Sequence, residues 1–369
     1  MKTKNLMMTA IAALAIAGCS QNEVMDESPD SNRAVGFDVY TSAQTKGTVE
    51  DNTSIKTGFG ILAYATGATS WAGSTEKPNF MYNQSVEYKT NKWEYSPVRY
   101  WPKNTTDKIT FFAYAPYESA PDAGTNKGIV LSQTAAGNPK ITFSLKAADS
   151  MIDLLTDEAQ KDKTKANTSG TVAFKFKHIL SRVKLMAKAQ SALATGTDIV
   201  IKKVIILGKT SHSATKFYTQ AVYTTALGTT NGKWAAGTQA ASDYDLANVL
   251  DVKATGITGY TTQGIKLNNT TEVSLFKDKE YLFLIPVESF AQGDIQLKIT
   301  YDIVTNNTSD DTNAVTSENT ETVKLPASIL AKGTPYKLTF AIGLDPITVT
   351  GAIDSSDEWG TESTGDLTN

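Results

Sequence analysis

The chain has 369 residues, a formal net charge of -3, 40% hydrophobic and 20% charged residues, and a single cysteine. Those fractions fit a folded body rather than a disordered one, and the length suits two domains of ordinary size. The charge balance offers no basic face for nucleic acid, and one cysteine excludes an intrachain disulfide. Abundant Thr, Ser, Asn, Gly and Tyr favour strands and turns over helices.

Lys2 and Lys4 make a basic start, and residues 6–18 then run without a charge. That run is too short for a bilayer helix of about 20 apolar residues and has the length of a secretory signal core. Ile16-Ala17-Gly18-Cys19 closes it with two small residues before the cysteine, and this resembles the lipobox of bacterial lipoproteins. The resemblance implies that residues 1–18 are a signal peptide, with a diacylglyceryl thioether on Cys19 and acylation of the new amino terminus. More than one acyl chain makes a stable membrane anchor. Residues 19–33 are polar, acidic and without periodicity, as expected of a flexible spacer.

The first strand is expected over residues 35–41, with Val35, Phe37 and Val39 on one face. A polar stretch centred on Lys46 and Gly47 follows, so basic residues flank the strand: Arg33 before it, Lys46 after it. Residues 57–66 read as a buried strand. Aromatic alternation then marks Phe80 with Tyr82 and Val86 with Tyr88, and residues 89–92 read as a tight turn before Trp93 and Tyr95. Pro97 and Pro102 should interrupt any central ladder, and strands resume at 109–114, 128–131 and 140–145. One short helix is expected from Asp157 within the charged stretch 150–165, where the domain junction is placed.

Beyond it, residues 171–178 alternate, and the parity changes at 179–181, which suggests a bend or bulge. Further strands are expected at 199–207, 217–223, 232–236, 280–287, 295–303 and 336–344, with a polar loop over 305–319. Ile347, Val349 and Ile353 form a last alternating segment after Pro346. So many short strands with turn signals argue for an all-β protein of antiparallel sandwiches. The domains expected are 34–165 and 166–369.

Sites of chemistry are sparse. With only His178 and His212 and no second cysteine, a zinc site of nitrogen and sulfur ligands is not expected, and His178 on an apolar face reads as a packed residue. Gly58-Phe59-Gly60 lacks the third glycine of a dinucleotide loop. No metal, cofactor or catalytic residue is assigned, and the chain is not expected to be an enzyme. The rings of residues 93–101 fit core or seam packing better than a carbohydrate platform.

Several motifs in order resemble the fimbrillin family of type V pilins, lipoprotein subunits of gut and oral Gram-negative bacteria. Beside the lipobox they are Met81-Tyr82-Asn83, Trp93-x-Tyr95-x-Pro97-x-Arg99-Tyr100-Trp101-Pro102 and Phe111-Phe112-Ala113-Tyr114-Ala115-Pro116. Asp153-Leu154-Leu155 then precedes Phe174-x-Phe176-x-His178-x-Leu180-Ser181-Arg182-Val183, and Gly333-x-x-Tyr336-x-Leu338-x-Phe340 precedes the closing segment. The resemblance implies two transthyretin-like β-sandwich domains in tandem, no enzymatic activity, and a precursor anchored at the outer membrane and cut after its first strand. The family's usual arginine is matched here by Lys46, which calls either for a broader trypsin-like protease or for a chain that stays uncut as an anchor or accessory subunit; Arg33, before the strand, is the alternative site.

On this reading Val35, Phe37 and Val39 lie on a displaceable first strand, and Ile347, Val349 and Ile353 on a donor strand. The alternative is that the last segment stays as the final strand of its own domain. The expected function is a structural or accessory fimbrial subunit supporting adhesion, whose partners are other subunits, the protease, the outer membrane, and a host protein or glycan. The alternative function is a non-polymerising surface lipoprotein that binds glycan or host protein.

Overall fold

The structure is a computed structural model that describes residues 33–41, 54–132, 137–157, 159–225, 232–277, 281–287, 289, 291–306, 314–327 and 330–354. Its strands begin with Gly36–Thr41 (β1), Phe59–Gly67 (β2), Met81–Lys89 (β3), Lys92–Glu94 (β4), Lys108–Ala115 (β5), Ile129–Leu131 (β6), Lys140–Ser144 (β7), Leu155–Asp157 (β8) and Gln160–Lys163 (β9). One helical turn, Lys165–Thr168 (α1), precedes Thr171–His178 (β10), Ser181–Ala189 (β11), Thr197–Ile206 (β12), Tyr218–Thr224 (β13), Lys233–Trp234 (β14), Thr238–Gln239 (β15) and Tyr244–Asp245 (β16). The last are Ile265–Lys266 (β17), Val273–Ser274 (β18), Leu282–Leu284 (β19), Gln296–Thr305 (β20), Val315–Lys324 (β21), Pro335–Ile342 (β22) and Thr348–Ile353 (β23).

The strands form four sheets, and the fold is all-β. An eight-stranded sheet runs β1-β10-β8-β5-β2-β3-β4 with β9 beside β5. A second sheet joins β14, β13, β7 and β6, with β15 on β13. A third runs β18-β11-β22-β23 with β19 on β11, and a fourth runs β16-β12-β20-β21 with β17 on β12. All pairings are antiparallel except β1 with β10 and β11 with β22.

Burial explains why the sheets stack. The first sheet is apolar on both faces: Phe37, Phe59, Ile61, Phe111 and Phe174 share one core, while Leu62, Tyr64, Phe112 and Tyr114 face the second sheet's Ile141, Phe143 and Tyr223. Such two-sided burial yields continuous apolar runs like that of β5, whose residues are buried from Ile109 to Ala115. The third and fourth sheets enclose a separate core of Val183, Leu185, Ile199, Ile201, Leu297, Ile299, Leu338 and Phe340. Strand pairing crosses residue 165: β10 lies in the first sheet beside β1, and β13 pairs with β7.

Local chemistry accounts for the connections. The turn between β3 and β4 has Thr90 and Asn91 at φ of 51° and 64°, the left-handed pair that a two-residue hairpin requires. The parity change at 179–181 is a change of sheet, because Ile179 and Leu180, both buried, carry the chain from β10 in the first sheet to β11 in the third.

Two expectations differ from the structure. The helix expected from Asp157 is instead strand: the Asp157 carboxylate accepts from Lys175 N–H at 2.8 Å and from Gln160 Nε2 at 2.8 Å, and β8 and β9 pair with β5. The helical turn comes later, at Lys165–Thr168, behind a capping box of Thr164 and Asn167. The polar loop expected over 305–319 gives way to β21 from Val315 onward. This is an edge strand with only Val323 buried, so it lacks the apolar face that would betray it.

Candidate functional site

The site is β1 and the groove it fills. On one side β1 runs parallel to β10, with Gly36 opposite Thr171, Phe37 opposite Val172 and Val39 opposite Phe174. On the other side the chain after β4 returns to it: Ala34 bridges Tyr100, Val35 N–H donates to Arg99 C=O at 2.9 Å, and Trp101 N–H donates to Arg33 C=O at 2.8 Å. The strand is therefore paired along one edge by β10, and the residues leading into it are held on the other side by the stretch 99–101.

Its inward side chains are Val35, Phe37 and Val39, all buried. The Phe37 ring lies 5.1 Å from Tyr95, 5.7 Å from Phe174 and 6.1 Å from Phe111, centroid to centroid. The Tyr95 hydroxyl donates to Val35 C=O at 2.8 Å, and burial holds its pKa above the ordinary tyrosine value. Trp101 is buried and its indole N–H donates to Gly170 C=O at 3.0 Å. Burying three such apolar side chains contributes roughly 5–9 kcal/mol in all.

Of the two cleavage candidates, Lys46 lies outside the described residues, as does Cys19. Arg33 is half-buried: its guanidinium donates to Trp101 C=O at 2.6 Å, and its own carbonyl is held by Trp101.

The candidate donor strand is β23. It pairs antiparallel with β22, Thr348 opposite Ala341 through Ile353 opposite Tyr336. Ile347 and Val349 are half-buried against the C-terminal core, whereas Ile353 is 63% exposed. Two polar side chains grip its leading turn. Gln190 Nε2 donates to the carbonyls of Asp345 and Pro346 at 3.2 and 2.9 Å while its Oε1 accepts from Asp345 N–H at 3.3 Å. The Glu321 carboxylate accepts from Ile347 N–H at 2.9 Å and from Tyr301 hydroxyl at 2.7 Å. Sequence reading missed both, since pairs this distant in the chain carry no local signal.

The aromatic stretch turns inward. Trp93 packs on Phe59 and Tyr88, Tyr95 on Phe37, and Trp101 on Phe111, which leaves Tyr100 as the exposed ring. His178 is buried with Nδ1 2.8 Å from Asp153 Oδ2. Among the described residues no group of three metal-ligating side chains gathers, and no helix is long and apolar enough to cross a membrane.

A fimbrillin-like family profile matches residues 41–355, and the chain belongs to that family. It is 39% identical to the fimbrium subunit Fim1C of Phocaeicola vulgatus, over all of this chain and 99% of that protein. It is also similar to the crystal structure of a fimbrial protein from Bacteroides vulgatus, with a TM-score of 0.76 and 35% identity over 87% of this chain and 99% of that one.

Proposed function

We infer that the chain is a structural or accessory subunit of a cell-surface fimbrium and joins other subunits by strand addition. Family membership and the fimbrial relatives support the first part. The observation that carries the second is β1, an amino-terminal strand with buried Val35, Phe37 and Val39 that is paired along one edge by β10 and bridged at its start, through Ala34, to Tyr100. Its removal would leave an apolar slot beside the unpaired edge of β10, which an extended segment from a neighbour can fill.

On this proposal the chain is exported as an outer-membrane lipoprotein anchored through Cys19. A trypsin-like protease then cuts at Lys46. While β1 is tethered it competes at an effective concentration around millimolar and excludes any free strand; the cut ends that advantage and severs the link to the lipid. Cleavage at Arg33 has less support, because its carbonyl is hydrogen-bonded to Trp101 and its side chain is engaged.

The donor is the segment beginning after Pro346, Ile347, Val349 and Ile353 included. In support, β23 has one paired partner strand among the described residues, and its side chains are mostly exposed. Donation from each subunit to the next is head-to-tail and does not close, so it yields filaments. Fimbriae built this way would support adhesion to a host protein or glycan. The test is the full chain lacking residues 346–369, treated with trypsin. It should stay folded and monomeric; polymers equal to those of the intact chain would overturn the proposal.

A further inference from the structure

Taking the strand-addition reading as its basis, we infer that the β1 groove prefers a strand from a different subunit to this chain's own carboxy-terminal strand, which fills it more weakly. The groove makes specific demands. Its three inward positions alternate, and the middle one holds Phe37, 4% exposed among the rings of Tyr95, Phe174 and Phe111. Between the first two inward positions stands Gly36, where a Cβ would come within 2.9 Å of Thr171 Oγ1. The fitting sequence therefore places aliphatic, aromatic and aliphatic side chains at the inward positions, with a small residue favoured between the first two.

No register of the chain's own segment supplies it. With Ile347, Val349 and Gly351 inward, Val349 takes the Phe37 position, glycine takes that of Val39, and Thr348 meets Thr171. With Val349, Gly351 and Ile353 inward, the ring socket receives a glycine. Reversing the strand keeps the same central residue in each case. The only aromatic after Pro346 is Trp359, and its alternate neighbours are Asp357 and Thr361. That register would bury a carboxylate at a site now held by a valine, which desolvation penalises heavily.

A valine or glycine in the ring socket leaves a void lined by three rings, and a void forfeits the contacts its walls had made. The partner is thus a fimbrial subunit whose donor strand carries a central aromatic residue. This chain's strand fits better a groove whose middle site takes a valine, so unlike neighbours are favoured where both are present.

The test uses the full chain cut by trypsin and then incubated with labelled peptides of residues 35–41, of residues 347–353, and of 347–353 carrying Val349→Phe. Binding is read by fluorescence anisotropy. The 35–41 peptide should bind, and Val349→Phe should bind about ten- to a hundredfold more tightly than the unsubstituted 347–353 peptide. Equal binding by the 347–353 peptide and its Val349→Phe form, with 35–41 bound, would overturn the inference and leave strand addition standing. Failure of the 35–41 peptide to bind would bring down both.

Discussion

Phe37 stacks on Phe174 with ring centroids 5.7 Å apart and planes inclined by 29°. One ring belongs to β1 and the other to β10, so the contact ties the amino-terminal strand to a strand more than a hundred positions on. Truncating Phe37 to alanine should cost about 3–5 kcal/mol of unfolding free energy, the usual range for a buried phenylalanine. Urea denaturation of the intact chain measures it, and a loss under about 1 kcal/mol would mean that β1 does not support the core.

The Tyr95 hydroxyl reaches Val35 C=O from outside the ladder. Tyr95→Phe keeps the ring against Phe37 and removes that donor, so it should weaken β1 by about 1 kcal/mol. Hydrogen exchange at the amides of residues 35–39 should rise about fivefold, with the C-terminal core unchanged.

Gln190 and Glu321 together hold the turn that leads into β23. Replacing each by alanine should raise exchange at residues 347–353 by roughly two- to tenfold per substitution, in line with 0.5–1.5 kcal/mol per net hydrogen bond. On the proposed function the double variant should also polymerise faster after trypsin treatment. Unchanged exchange in the double variant would show that β22 alone retains the strand.

Burial pushes the Tyr64 phenol up to about 12 and also raises Tyr114, Tyr244 and Tyr301. These groups are neutral when folded, and in the unfolded chain they ionise near pH 10. The folded state thus keeps protons that the unfolded state loses, so stability is whole below about pH 10 and falls as pH rises through the folded values. Unfolding free energy measured from pH 9 to 12 should decline, with phenolate absorbance appearing together with loss of structure. Phenolate formation ahead of unfolding would contradict the assignment.

Much of this was legible in the chain because alternation is a strong signal wherever one face is buried. Val35, Phe37 and Val39 were readable as one inward set, as were Leu297, Ile299 and Tyr301, and the turn at 89–92 announced itself by its polar residues. The missed elements lacked that signal. The edge strand Val315–Lys324 needs almost no apolar side chains, and Leu155–Asp157 is strand because β5 and β10 pair with it, against its local charge pattern. The partner of β1 was equally hidden, since parallel pairing with Thr171–His178 spans the whole first sheet.

Strand replacement is tested most directly by the fate of β1 itself. Trypsin-treated full chain should be separated into monomer and polymer, and each analysed by mass spectrometry for the fragment containing residues 35–41. The cut monomer should retain the fragment and the polymer should lack it, a neighbour's strand having taken its place. Polymers that retain the fragment in equal amount would contradict strand replacement.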